Sequence, residues 1–217
     1  MTDKLIFYPE HNCICAYEDE PILSFYQGYF ECVYVMLNPF QKVDKRGDNI
    51  GYLSWKKVIE LAGFKNINQL DIALRNAIGG LVSKYRNYED VEILKDTCER
   101  NGLIIPGEGC FSQANKIDML RSLLDAGYPH MFVADEFGFE RKLHYVQDVI
   151  DKNGEVELAT AHENWYTPKN EILYTAHWDS FYTMLCADKK TVERIVQQYG
   201  FEGFYCDEKT QIYWSVQ

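Results

Sequence analysis

The chain has 217 residues, with 22 Lys or Arg against 33 Asp or Glu, so its formal net charge is −11. With 47% hydrophobic and 25% charged residues, the composition is that of a globular protein and excludes wholesale disorder. Because nucleic-acid backbones are bound by clustered Lys and Arg, the acidic balance argues against a nucleic acid as the partner.

The N-terminal part of the chain predicts two strands and two helices before residue 63. The first forty residues suggest a strand, a helix and then a strand at residues 31–37, which ends at Asn38 and Pro39. Residues 42–51 are polar and contain two glycines, which favours a linker. Ser54 can cap a helix over residues 55–62, because its side chain can accept a hydrogen bond from the first turn.

The middle of the chain predicts helices. Apolar residues recur at helical spacing over residues 69–85, which predicts a central core helix. Asp71 and Arg75 lie four residues apart there, where a surface pair contributes only about 0.2–0.5 kcal/mol. The pair Gly79-Gly80 indicates a kink or the close approach of another backbone. Two further helices are predicted at 88–100 and 114–126.

The last third predicts strands around one helix. Strands are expected at residues 130–134, 141–146, 172–175 and 181–186, a helix at 189–199, and a hairpin from 203–206 and 211–215. This order favours an α+β fold with a mixed sheet from the N- and C-terminal segments and a helical middle region. We expect one α+β domain over residues 1–217, with an N-terminal part at 1–41, a helical part at 52–127 and a sheet-rich part at 128–217.

The cysteines and the chain start indicate a reducing compartment. There are seven cysteines, which is an odd number, and no CxxC motif occurs. The first residues lack the pattern of a secretory signal, and no apolar run approaches the roughly 18–20 residues that span a bilayer. We therefore expect a cytoplasmic protein with free thiols that does not enter a membrane.

His11, Cys13 and Cys15 form the most metal-like pattern in the sequence. On a strand these alternate residues share a face and could converge on one ion. Structural zinc sites need four ligands, however, and no second pair is suitably spaced. Buried cysteines also pack as small hydrophobic residues. We therefore predict no metal ligand and no cofactor.

Two segments contain residue types that chemistry uses. Residues 177–180 hold His, Asp and Ser, but no G-x-S-x-G motif accompanies them, so a hydrolytic triad is not indicated. Residues 135–141 place three carboxylates and an arginine directly after a strand, where loops commonly bind ligands. The alternative is an acidic hairpin whose charges pair internally. The predicted binding residues are Asp135, Glu136, Phe137, Glu140, Arg141, His177 and Asp179; no catalytic residue is predicted.

Five segments resemble a known family of proteins. They are Asn38-Pro39-Phe40, Ser54-Trp55-Lys56, Gln69-Leu70-Asp71-Ile72-Ala73-Leu74-Arg75, Ile105-Pro106 with Glu108-Gly109, and Asp135-Glu136-Phe137-Gly138 with Glu140-Arg141. The family comprises cytoplasmic proteins of spore-forming Gram-positive bacteria and is a domain of unknown function. The resemblance covers about residues 30–215 and implies a bacterial source and a single unit. It implies no catalytic residue and no cofactor.

Two functions follow from these features. The first is a non-enzymatic acidic binding protein, like an immunity protein or inhibitor, that neutralises a basic protein partner such as a toxin or nuclease, since a negative surface steers a basic one. The alternative is a small-ligand-binding protein or a metal-assisted hydrolase that uses Asp135, Glu136 and Glu140 with a histidine, for which the candidates are His144, His162 and His177. A concave site that contains the carboxylates and a histidine would favour the alternative, and a flat acidic surface would favour the first.

Overall fold

The structure is a computed structural model that describes residues 9–156 and 163–217. The strands of this part are β1 Cys32–Leu37, β2 Phe40–Val43, β3 Asn49–Leu53, β4 Leu103–Ile104, β5 His130–Asp135, β6 Arg141–Tyr145, β7 Glu163–Tyr166, β8 Leu173–Thr175, β9 Tyr182–Ala187 and β10 Gly203–Tyr205. The helices are α1 Ile22–Phe25, α2 Trp55–Ala62, α3 Ile67–Ala77, α4 Tyr88–Asn101, α5 Gln113–Asp125, α6 Val146–Asp151 and α7 Lys189–Tyr199.

Seven strands form the main sheet, in the order β10-β1-β9-β8-β7-β5-β6. Strand β1 from the N-terminal part lies between β9 and β10 from the C-terminal part, and the helices α2 to α5 lie between them in the chain. The predicted α+β class is therefore confirmed, as is the origin of the sheet in the two ends of the chain. All pairings in the described part of this sheet are antiparallel, so the sheet is not mixed.

Both faces of the main sheet are buried, which gives the described chain two hydrophobic clusters. Val33 and Val35 of β1 face a cluster that includes residues of α2, α3 and α4. Tyr34 and Met36 alternate with them and face a second cluster that includes residues of α5, α6 and α7. Successive side chains of a strand point to opposite faces, so the continuous apolar run of β1 serves both clusters.

The helix predicted at residues 69–85 is shorter than its apolar pattern suggests. Helix α3 ends at Ala77, and Gly79 has a left-handed φ of +75° that ends the helix. The amide of Gly80 donates to the carbonyl of Arg75, which closes the helix end. The two glycines are a stop signal, and the apolar residues beyond them belong to the following segment.

Two segments differ from their predicted form. The predicted linker at 42–51 contributes to a hairpin, in which β2 pairs antiparallel with β3. Residues 211–215 do not form a strand, and a short 3₁₀ helix lies at Trp214–Val216. Instead, β10 pairs with β1 across the register Tyr34 to Tyr205, so a strand from distant sequence replaces the local hairpin partner.

The capping residues predicted for α2 are confirmed. The Ser54 hydroxyl accepts a hydrogen bond from the Lys57 amide at 3.2 Å, and Gly63 closes α2 in the left-handed conformation with φ +70°. Among the residues that the structure describes, no helix combines the length and the apolar character that crossing a bilayer requires.

Candidate functional site

The order of the strands brings two distant loops to one end of the sheet. Strands β5 and β8 each run antiparallel to β7, which lies between them. Their carboxyl ends therefore lie at the same end of the sheet, and the segments that follow them, residues 136–139 and 176–178, come close together. With residues 9 and 14–18 these segments line a cavity of about 360 Å³. Small-molecule pockets commonly measure about 300–1,000 Å³.

A buried asparagine fixes the floor beneath these two loops. The Asn164 amide nitrogen donates to the carbonyl of Asp135 at 2.7 Å, and the Asn164 carbonyl oxygen accepts from the Thr175 hydroxyl at 2.6 Å. Asn164 belongs to β7, so its side chain joins the end of β5 to the end of β8. Buried polar groups that are satisfied on both sides hold their neighbours in one arrangement.

Asp135 holds the turn that forms one wall. Its carboxylate accepts hydrogen bonds from the backbone amides of Phe137, Phe139 and Glu140 at 2.9–3.1 Å. Asp135 is only 7% exposed. Asp135 was predicted to bind a ligand together with Glu136 and Glu140, whereas in the structure its carboxylate pairs internally, as in the alternative interpretation. A short acidic side chain serves this purpose because it can bond the backbone two to five residues later.

A glycine allows the N-terminal segment to pack on this turn. Gly138 has φ +70°, and a Cβ atom at that position would lie 2.8 Å from the Cβ of Pro9 and 3.1 Å from a methyl group of Ile14. Any other residue would be strained in this backbone conformation and would push the segment away. Gly138 thus closes the contact between two walls of the cavity.

The lining of the cavity is rich in aromatic side chains that face solvent. Tyr17, Phe137, Phe139 and Trp178 are each 54–61% exposed. They come from all three lining segments. Burying apolar surface is favourable by about 25 cal/mol per Å². A ligand that covers these exposed rings would gain this transfer free energy. Large exposed apolar patches commonly mark binding sites.

Glu18 connects two residues of the facing wall. Its Oε1 atom lies 3.2 Å from His177 Nε2 and accepts a hydrogen bond from Trp178 Nε1 at 3.1 Å. The His177 Nδ1 atom accepts a hydrogen bond from the Asp179 amide at 3.2 Å. His177 thus faces a backbone donor on one side of its ring and a carboxylate oxygen on the other.

Asp179 lies behind His177 and does not line the cavity. Its carbonyl accepts from Arg75 at 2.9 Å, and its carboxylate accepts from the Tyr213 hydroxyl at 3.1 Å. The guanidinium of Arg75 also donates to the carbonyl of Ile212, so the segment that carries His177 is tied to α3 and to the C-terminal residues. The amide of Asp179 therefore helps to position His177.

Glu140 and Arg141 follow the turn at its far side and do not line the cavity. The guanidinium carbon of Arg141 lies 5.6 Å from the centroid of the Phe132 ring, a distance at which a cation and an aromatic face attract each other. Of the other histidines considered, His144 lies on β6 outside the cavity lining, and His162 lies outside the described residues.

The pattern of His11, Cys13 and Cys15 does not form a shared face. Residues His11–Cys13 form a 3₁₀ turn instead of a strand, and the His11 ring stacks on Phe25 with centroids 4.2 Å apart. Burial raises the pKa of the Cys15 thiol, which lines the cavity, to about 12. Within residues 9–156 and 163–217, no group of three His, Cys, Asp or Glu is arranged to hold a metal ion.

Three of the seven predicted binding residues meet at this cavity: Glu136, Phe137 and His177. Sequence reasoning missed the wall formed by Tyr17 and Glu18 and the bridging Asn164. No local signal marks them, because their roles depend on which strands are neighbours. Trp178 directly follows the predicted residue His177. The sequence alone does not show that the Trp178 side chain is exposed.

Together the fold and the cavity define an α+β protein with a solvent-facing aromatic pocket at one end of an antiparallel sheet. The chain belongs to the family described as Protein of unknown function (DUF2711), whose profile matches residues 18–216. This confirms the family resemblance predicted from the five segments. This chain is also 26% identical over 173 residues to the Uncharacterized protein YwbB of Bacillus subtilis (strain 168). The aligned region covers 75% of this chain and 71% of that protein. No solved structure matches it.

Proposed function

We propose that this protein binds a small organic molecule in the pocket lined by residues 14–18, 136–139 and 176–178. The observation that carries the proposal is the coincidence of a cavity of about 360 Å³ with four exposed aromatic side chains around it. Ligand sites are concave, mostly apolar, and contain a few polar groups that fix orientation. Here Glu18, Glu136 and His177 supply those groups.

The rigidity of two walls supports the proposal. Asp135 bonds three backbone amides of the turn, and Asn164 links that turn to the end of β8. A pocket that is formed before the ligand arrives avoids part of the entropy cost of ordering on binding. A bound ligand would then bury the aromatic surface that is exposed in the free protein.

The proposal is tested by screening a fragment library with ligand-observed NMR. The variant carries Phe137→Ala and Phe139→Ala, which remove two aromatic side chains from one wall of the pocket. The matched control carries Val82→Ala and Tyr88→Ala, two residues that are equally exposed at 62% and 65% but lie elsewhere. We expect fragments that bind the wild type and the control and fail to bind the variant. Equal binding to all three folded proteins would contradict the proposal.

A second candidate function keeps the protein partner proposed from the sequence. Phe137 and Phe139 lie on an exposed turn beside Glu136 and Glu140, in a chain of net charge −11. Aromatic residues are frequent anchors at interfaces, and carboxylates around them attract a basic surface. An immunity-like role toward a basic toxin or nuclease would use this turn as its contact.

The second candidate has a kinetic test. Glu136→Gln with Glu140→Gln removes the two other carboxylates of this segment and leaves Asp135 to hold the turn. If a basic protein partner docks there, its association at low salt slows in the variant and the difference disappears near 0.1 M salt, where the Debye length is about 10 Å. An unchanged association rate at low salt would contradict this candidate.

The cytoplasmic location predicted from the sequence is retained as part of the proposal. All seven cysteines are unpaired in the structure. Free thiols are characteristic of reducing compartments, where disulfides rarely persist. Fractionation of the native host tests this part. We expect the protein in the soluble internal fraction, and detection outside that fraction would contradict the cytoplasmic location.

A further inference from the structure

The charged groups around the aromatic pocket are of one sign. Glu18 and Glu136 both line it, and no Lys or Arg is found among the described residues of its lining. The guanidinium of Arg141, which follows the turn, lies over the Phe132 ring. An anionic ligand would therefore meet two lining carboxylates and no Lys or Arg among the described lining residues.

A histidine and a tryptophan hold one of these carboxylates in place. His177 accepts a backbone hydrogen bond at Nδ1 and faces Glu18 through Nε2. Trp178 Nε1 donates to the same oxygen of Glu18. His177 and Trp178 thus fix the position of the Glu18 carboxylate.

The fixed carboxylate has an oxygen left for a ligand. Both hydrogen bonds to Glu18 use Oε1, and within the part of the chain that the structure describes no donor reaches Oε2. The Glu18 side chain is 42% exposed and is part of the cavity lining. A positioned carboxylate oxygen of this kind attracts a ligand ammonium group, and it accepts a hydrogen bond where that group carries an N–H.

The aromatic walls favour the same ligand charge. The faces of Trp, Tyr and Phe rings carry negative electrostatic potential and attract cations within about 6 Å of the ring centroid, with Trp the strongest. Tyr17, Phe137, Phe139 and Trp178 provide all three ring types around one cavity. Several aromatic side chains together with carboxylates are the chemistry that recognises alkylammonium groups.

We infer that the ligand of this pocket is a small organic cation, an amine or quaternary ammonium compound with an apolar body. The inference rests on the proposed function, because it names the ligand class of the same pocket. The aromatic rings hold the apolar body and the alkylated nitrogen, and Glu18 and Glu136 compensate the positive charge. A neutral ligand would gain the apolar contacts alone.

The test compares two probes of nearly identical shape. Choline and 3,3-dimethylbutan-1-ol differ in that a positively charged nitrogen in one replaces a carbon in the other. Each is titrated to tens of millimolar into the full chain at constant ionic strength, and binding is followed by protein NMR shifts. We expect choline to bind at least about tenfold more tightly than the alcohol.

Charge variants separate local recognition from general attraction. Glu18→Gln and Glu136→Gln each keep the side-chain shape and should weaken choline at least about threefold while leaving the alcohol unchanged. The matched control is Glu89→Gln, which changes the net charge equally at an exposed position on α4 and should bind both probes as the wild type does.

The outcomes distinguish this inference from the proposed function. If both probes bind equally, or the alcohol binds more tightly, the cationic class is wrong and the pocket remains a ligand site. If choline binding falls as much in Glu89→Gln as in Glu18→Gln, the preference comes from net charge and the inference is overturned. If neither probe shifts any pocket residue, the inference is overturned too, and the fragment screen judges the pocket independently.

Discussion

Asp71 and Arg75 form an ion pair on α3 that is completely buried, with 2.7 Å between Asp71 Oδ2 and Arg75 Nε. Ser215 donates a second hydrogen bond to the same carboxylate oxygen. The guanidinium carbon lies 4.6 Å from the centroid of the Tyr213 ring. From their four-residue spacing alone, this pair is expected to contribute only a few tenths of a kcal/mol. The structure makes it a junction between α3, the segment behind the pocket and the C-terminal residues.

Removing the cation of this pair should destabilise the protein strongly. Arg75→Met leaves the Asp71 carboxylate buried without its partner, which typically costs about 3–5 kcal/mol of unfolding free energy. Lys95→Met breaks the exposed pair of Lys95 with Glu92 and should cost less than about 1 kcal/mol. Urea unfolding of both variants measures the difference. Similar small losses in the two would mean that the Asp71–Arg75 pair is not a structural junction.

The apolar face of α3 should carry part of the core stability. Leu74→Ala removes a fully buried side chain and should cost about 2–5 kcal/mol. Leu61→Ala on α2 removes a side chain of the same kind that is 38% exposed, and it should cost clearly less. The comparison uses the same denaturant curves, and a Leu74→Ala loss below about 1 kcal/mol would place α3 outside the core.

The turn at residues 136–139 should depend on Asp135 and not on Glu140. Asp135→Ala deprives three backbone amides of their acceptor and should lower the unfolding free energy by about 1–3 kcal/mol. It should also abolish fragment binding, because Phe137 and Phe139 lose their fixed positions. Glu140→Ala, at the residue directly after the turn, should keep both the stability and the fragment binding. A stable Asp135→Ala protein that still binds fragments would show that the turn is held by other contacts.

Thiol reactivity should follow burial. Burial raises the pKa of Cys15 to about 12 and that of Cys98 to about 11. The thiolate is the reactive form, and at pH 8 only a fraction of about 10⁻⁴ of Cys15 is present as thiolate. The labelling rate of Cys15 should therefore rise about tenfold per pH unit toward pH 11. Iodoacetamide at pH 8 should label the exposed Cys110 first, and all seven thiols only in denaturant. Mass spectrometry checks the order, and rapid native labelling of Cys98 would contradict it.

Local signals predicted the elements that local chemistry determines. Ser54 and Gly63 mark the ends of α2, and Gly200 marks the end of α7, because caps need particular residues at fixed positions. The end of α3 was missed because Ile78 and Val82 continue the apolar spacing, although both are exposed in the structure. Periodicity alone cannot tell a buried apolar residue from an exposed one.

The pocket was predictable only in part for a different reason. Glu136, Phe137 and His177 lie in loops that follow strands, and they were predicted as binding residues for that reason. Their meeting depends on β7 lying between β5 and β8, which no pattern in the sequence specifies. The wall from Tyr17 and Glu18 and the bridge by Asn164 depend on the same long-range arrangement. Register between distant strands is a property of the whole fold.

The most direct test of ligand binding in this pocket uses the indole signals of the four tryptophans. Trp178 lies on the pocket wall and is exposed, whereas Trp55 and Trp165 are completely buried. The protein is labelled with ¹⁵N and titrated with the tightest fragment of the screen, and Trp178→Phe assigns the signal. We predict a saturating shift of the Trp178 indole signal with the other three unchanged. A fragment that binds while the Trp178 signal stays still would contradict a ligand site in this pocket.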